Sequence, residues 1–142
     1  MNIMKFILVG ATIIALAGCC ACRKGKSNAA MTLTGVTWQA DKIGSSSLTP
    51  QDDSFTLRFD ADNKVSGCGA CNRFFGSYRS DAEGKLTFGE MGATKMMCPD
   101  MELEDRMFDA LHRTVSYSFD SRTLLLLDGA GEVVAVFSPK EE

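Results

Sequence analysis

The chain has 142 residues, with 15 Lys and Arg against 18 Asp and Glu, one His and a formal net charge of −3. Mild acidity without a visible basic face gives no footing for a nucleic-acid partner. A single histidine, with no Gly-x-Ser-x-Gly, no phosphate loop and no paired carboxylates in an evident cleft, leaves little for nucleophilic or acid–base catalysis and implies no cofactor.

The N-terminus sets the expected address. Lys5 precedes an apolar run, Phe6–Leu16, of about 11 residues, against roughly 20 for a helix that spans a bilayer. It reads as a signal peptide over residues 1–18. Its end, Leu16-Ala17-Gly18-Cys19, resembles a bacterial lipobox, in which Cys19 becomes the acylated first residue. One acyl chain holds only marginally, so stable anchoring needs several. Cys20 stands where an aspartate commonly retains such proteins at the inner membrane, so the expected place is the outer membrane, facing the periplasm. Residues 19–31, with Gly, Ser, Asn and the basic Arg23, Lys24 and Lys26, read as the lipidated cysteine and a flexible tether. The remainder, residues 32–142, is long enough for one domain with a real core.

In chain order, Leu33–Ala40 has the β-branched and aromatic content of a first strand, with Trp38 as a core anchor. Ser45–Asp53, containing Pro50, reads as a polar loop in which Asp52-Asp53 is solvated. Ser54–Asp60 alternates Phe55, Leu57 and Phe59 against Thr56 and Arg58, a half-buried strand. Ala61-Asp62-Asn63 makes a turn into Lys64-Val65-Ser66. The next stretch, Gly67-Cys68-Gly69-Ala70-Cys71-Asn72-Arg73-Phe74-Phe75-Gly76-Ser77-Tyr78, joins two cysteines to three aromatics that supply apolar bulk. Lys85–Phe88 alternates after a turn at Ser80–Gly84.

Pro99–Thr114 is the one strong helix pattern. Leu103, Met107, Phe108, Leu111 and Val115 trace an apolar stripe, with Glu102, Asp105, Asp109 and Arg113 opposite. Pro99 and Asp100 suit its start. Strands at Ser116–Phe119, Leu124–Leu127 and Val133–Phe137 follow, the last two joined by a turn at Asp128–Gly131. About seven or eight short strands with one late helix argue an α+β domain, mostly antiparallel, forming a closed or partly open barrel on the helix.

Several motifs together resemble the META domain, the fold of HslJ-type heat-shock lipoproteins. They are Leu33-Thr34-Gly35 with Trp38, Phe59, Val65-Ser66-Gly67 leading to Cys71–Tyr78, Thr94-Lys95-Met96-Met97-Cys98, Leu111 with Tyr117, Leu124 with Leu126, and Gly131 with Phe137. Ala70 stands where the family usually has Gly, and Cys68 is an additional cysteine. The resemblance implies a β-rich envelope domain without catalytic residues, linked to stress tolerance; the chain is expected to be a monomer that supports envelope integrity or stress and antibiotic tolerance through binding. Its partner would be an envelope protein, besides the membrane reached through Cys19.

Because Cys71 and Cys98 occupy the two family-matching positions, the resemblance also implies a Cys71–Cys98 disulfide, in a compartment where disulfides persist. Cys68 is then left to pack as a small apolar residue or to pair with Cys20 or Cys22 between chains. Two sharper chemistries use the same residues. Cys68-Gly69-Ala70-Cys71 has the C-x-x-C spacing of a thiol–disulfide redox pair. Cys68, Cys71, Cys98 and His112 have the donor types of a Cys3His zinc set. A third alternative is a pilotin-like or inhibitor-like module that binds a partner protein or lipid. Asn72-Arg73 reads either as a turn cap or as an anion contact.

Overall fold

A computed structural model of the protein describes residues 31–49 and 52–141. The signal segment, Cys19, Cys20, Cys22 and the tether up to residue 30 lie outside the described residues, as does Pro50.

The described chain forms one curled antiparallel sheet and one helix. The strands are β1 (Thr37–Ile43), β2 (Ser46–Ser47), β3 (Thr56–Phe59), β4 (Lys64–Cys68), β5 (Arg73–Ser80), β6 (Leu86–Ala93), β7 (Ser116–Asp120), β8 (Thr123–Leu127) and β9 (Val133–Pro139). The helix, α1 (Met101–Arg113), lies between β6 and β7 in sequence. The sheet order is β6-β5-β4-β3-β1-β9-β8-β7, with β2 hairpinned onto β1. Its two ends are joined by a short run of contacts: Lys85 bridges Ser116, the Leu86 N–H donates to the Val115 carbonyl, and the Tyr117 N–H donates to the Gly84 carbonyl. The result is a partly open barrel, as the strand pattern predicts.

Alternation along each strand sends large apolar side chains inward. Trp38, Ile43, Leu57, Phe59, Phe74, Leu86, Leu124, Leu126 and Phe137 are all fully buried. Trp38 donates its indole N–H to the Leu33 carbonyl at 3.0 Å and stacks on Phe119. A bulge between Ala40 and Lys42 shifts the phase of β1, so that Ile43 rather than Lys42 faces the core. The helix buries Met107, Ala110 and Leu111 against the barrel.

Four expectations are corrected. The first strand begins at Thr37 rather than Leu33, because Gly35 takes a left-handed φ of +78°; only Thr34 touches the sheet there, bridging Phe59. Ser46–Ser47 forms a short strand inside the expected loop, turned back onto β1 through Gly44 at φ +56°. The helix spans Met101–Arg113 rather than Pro99–Thr114, and Val115 is half-exposed outside it, starting the run into β7. Phe75 does not join the core: one position out of phase with Phe74, it is 67% exposed on the outer wall.

Candidate functional site

The segment from Gly67 to Phe75 is shaped by a buried carboxylate that the helix supplies. Glu104 sits three positions before Met107 and seven before Leu111, so it lies on the helix face that enters the barrel. It is 2% exposed. Its Oε2 accepts the backbone N–H groups of Cys71 and Asn72, each at 3.1 Å, and its Oε1 accepts the Asn72 side-chain amide at 2.6 Å. Burial alone would raise its pKa, but the Asn72 amide and the N–H groups of Cys71, Asn72 and Ala70 outweigh this. The carboxyl is therefore held below the usual carboxylate range.

Asn72, 1% exposed, is the hub of the turn. Its Nδ2 also donates to the Met96 carbonyl at 3.0 Å. Its Oδ1 accepts the Thr94 hydroxyl at 2.9 Å and the Met96 N–H at 2.6 Å. Thr94 Oγ1 in turn accepts the Arg73 N–H at 3.1 Å. A buried network of this kind stabilises only when every member is satisfied, and this one is. Cys71 and Cys98 form a disulfide across the same region, with Cα atoms 6.3 Å apart. Turn, loop 94–98 and helix are thus tied together by covalent, ionic and amide contacts. Asn72 is a structural cap, and its neighbour Arg73 is the residue that turns outward.

Glycines admit these close approaches. A Cβ on Gly69 would lie 2.5 Å from Glu104 Oε2, and one on Gly67 would lie 2.1 Å from the Thr56 carbonyl oxygen.

On the outer wall, strand register builds two cross-strand rows. One row runs Thr37–Arg58–Ser66–Phe75–Gly92, the other Thr56–Cys68–Arg73. Cross-strand neighbours on one face stand about 5 Å apart, so each row is a continuous surface. The rows, with Asp53 and Lys140, line a groove of about 480 Å³. Its charged lining is Arg58, Arg73 and Lys140 against Asp53 alone, in a chain whose net charge is −3. Lys140 is ion-paired with Asp53, whose carboxyl the lysine holds below its ordinary value through their hydrogen bond and charge. Arg58 pairs with Asp60 at 3.5 Å. Among the described residues the Arg73 guanidinium has no ion-pair partner within bonding distance. Phe55, next to Thr56 in the chain, holds a left-handed φ of +52°, a conformation that costs a bulky residue about 1–2 kcal/mol.

The other expected chemistries are not assembled. Cys71 is bonded to Cys98, so Cys68 stands as a free thiol in the groove. Burial pushes the Cys68 thiol up, only partly offset by Arg73, and Glu104 and Asp53 push it the same way as burial. That is the opposite of the depressed pKa that activates a redox thiol. His112 is exposed on the helix with its Nδ1 3.3 Å from the Phe108 carbonyl oxygen. Among the described residues no group of three or more His, Cys, Asp or Glu is positioned to hold a metal ion. Glu104 was the site residue hardest to see in sequence, and its signal was a lone acid on an apolar stripe.

Comparison with known proteins agrees with this architecture. The sequence profile of the META domain matches residues 31–141. Curated proteins yielded no match. Among solved structures, an NMR structure of a protein matches with a TM-score of 0.61 at 20% identity, covering 75% of this chain and 91% of that one. A second NMR structure, of a protein from Burkholderia xenovorans, matches with a TM-score of 0.58 at 25% identity, covering 78% and 85%. A crystal structure of a DUF4847 family protein from Bacteroides vulgatus matches with a TM-score of 0.58 at 16% identity, covering 78% and 96%. These likenesses concern the fold, whereas the profile spans nearly the whole described chain, and on that ground the chain belongs to the META domain family.

Proposed function

We propose that this chain is a non-catalytic binding module of the bacterial envelope, anchored through acylated Cys19 at the outer membrane and facing the periplasm. Its working surface is the outer wall of β3, β4 and β5, and its partner carries negative charge. The role is support of envelope integrity under stress or antibiotic challenge. The observation that carries the binding reading is the pair Arg73 and Phe75. One is a guanidinium with no ion pair among the described residues, the other a ring 67% exposed, two positions apart on one face of a strand. The exposed ring leaves apolar surface in water, the guanidinium is free to pair with an incoming anion, and both are side chain types that dominate recognition surfaces.

Two measurements test this. Feeding an alkyne-tagged fatty acid to cells that express the full chain labels the protein, and Cys19→Ser abolishes the label; unchanged labelling of the variant overturns the anchor. Amide shifts followed during titration with tripolyphosphate move at Arg58, Cys68, Arg73 and Phe75. Shifts confined to other surfaces overturn the binding face.

A further inference from the structure

Resting on that reading, we propose that the groove is a saccharide site and that its ligand is an acidic glycan, a chain of sugars bearing carboxylate or phosphate groups. The lining points there by its chemistry. Arg73, without an ion pair among the described residues, supplies a planar, forked donor that matches carboxylate and phosphate geometry; Arg58 adds a second guanidinium, held by Asp60, and the charge of Lys140 is offset by its pairing with Asp53. Thr37 and Ser66 add hydroxyls in the first cross-strand row. Such hydroxyls both donate and accept, as sugar hydroxyls require. Phe75 provides the apolar element. Its ring leans over Gly92, where a Cβ would stand 3.2 Å from the ring edge, and its outer face is open. The negative face of an aromatic ring attracts the positively polarised C–H groups of a sugar's flat side.

The backbone argues against an extended acidic peptide. Peptides that bind sheets in extended form add a strand at an edge and draw affinity from main-chain hydrogen bonds. Here the groove lies over the face of β3, β4 and β5, and β4 is paired on both sides, with β3 through Phe59↔Val65 to Thr56↔Cys68 and with β5 through Lys64↔Ser77 to Cys68↔Arg73. The face offers side chains and no free ladder. A bilayer surface fits no better, because the groove is concave and Phe75 is the only exposed large hydrophobic among its lining residues.

Calorimetric titration of the full chain with three probes of matched length tests the proposal: tetragalacturonate, uncharged maltotetraose and tetraglutamate. Tetragalacturonate is expected to bind at least about tenfold more tightly than either comparator, and to weaken as salt is raised. Arg73→Ala and Phe75→Ala each weaken it by about tenfold, while Val133→Ala, an exposed residue on β9, leaves it unchanged. Unaltered thermal unfolding of the variants shows that the loss is of contacts rather than of fold. Equal binding of tetraglutamate overturns the saccharide assignment and leaves the anion-binding face standing. Equal binding of maltotetraose overturns the role of charge. Failure of both charged probes to bind overturns the glycan and the anionic working surface together.

Discussion

Glu104 Oε1 accepts a 2.6 Å hydrogen bond from Asn72 Nδ2, joining a helix residue to a turn residue 32 positions earlier, with both side chains buried. This contact fixes the turn that sends Arg73 and Phe75 to the outer wall. Glu104→Ala removes the acceptor for the Asn72 amide and for two backbone N–H groups. Each unsatisfied buried donor costs about 1–3 kcal/mol, so the variant is expected to lose about 3 kcal/mol or more of stability in denaturant unfolding. A loss below about 1 kcal/mol would show that the network is peripheral.

The same carboxyl makes stability depend on pH. Its folded pKa is depressed, so its contribution is present above the unfolded value of about 4.3 and is lost as pH falls through the folded value. Asp53, Asp62, Asp81 and Asp128 are depressed as well, through hydrogen bonds from Lys140, from Lys64, from the Lys85 N–H and from the Glu132 N–H respectively, and add to the acid slope. Glu104→Gln is therefore less stable than the wild type at neutral pH, and the difference narrows on acidification. A difference that stays constant from pH 7 to pH 3 contradicts this assignment.

The disulfide acts on the same turn by a separate route. Cys71→Ser and Cys98→Ser are each expected to cost about 3–4 kcal/mol, from the loop of 27 residues that the bridge closes. The double variant costs no more than either single one, because both remove one bond. Additive losses would show that the cysteines contribute independently. Cys68→Ser, by contrast, leaves unfolding nearly unchanged under oxidising conditions, since Cys68 takes no part in the bridge.

Gly67 faces the core between Thr56 and Phe74. A methyl there meets the Thr56 carbonyl oxygen at 2.1 Å and the Phe74 ring at 2.6 Å. Strand backbone cannot retreat without breaking the Leu57↔Gly67 pairing. Gly67→Ala is therefore expected to lose at least about 2–3 kcal/mol in thermal or denaturant unfolding, at the upper end for overpacking. Gly129→Ala, with open space around it, serves as the neutral comparison.

Most strands were legible because alternation is a local signal. Leu57, Arg58 and Phe59 announce in sequence which way each side chain faces, and the structure agrees. The helix was legible from its stripe, although Val115 continued the spacing past the point where the chain leaves the helix. The groove was not legible, because Arg58, Cys68, Arg73 and Lys140 come together only through the pairing of distant strands. The outward turn of Phe75 was not legible for a related reason: two adjacent phenylalanines cannot both face one side of a strand, and sequence alone does not say which is outside. Glu104 carried a weak signal, since an acid on an apolar stripe needs a buried partner that lies far away in the chain.

The claim that the outer wall of β3–β5 is the working surface is tested most directly in the native envelope. A photoreactive phenylalanine analogue is placed at position 75 of the full chain, and another at Val133, exposed on the other half of the sheet. Irradiation is expected to give a glycan-bearing adduct from position 75, lost on Arg73→Ala, and none from position 133. Adducts at 133 alone, or the same adducts from both positions, would contradict the account.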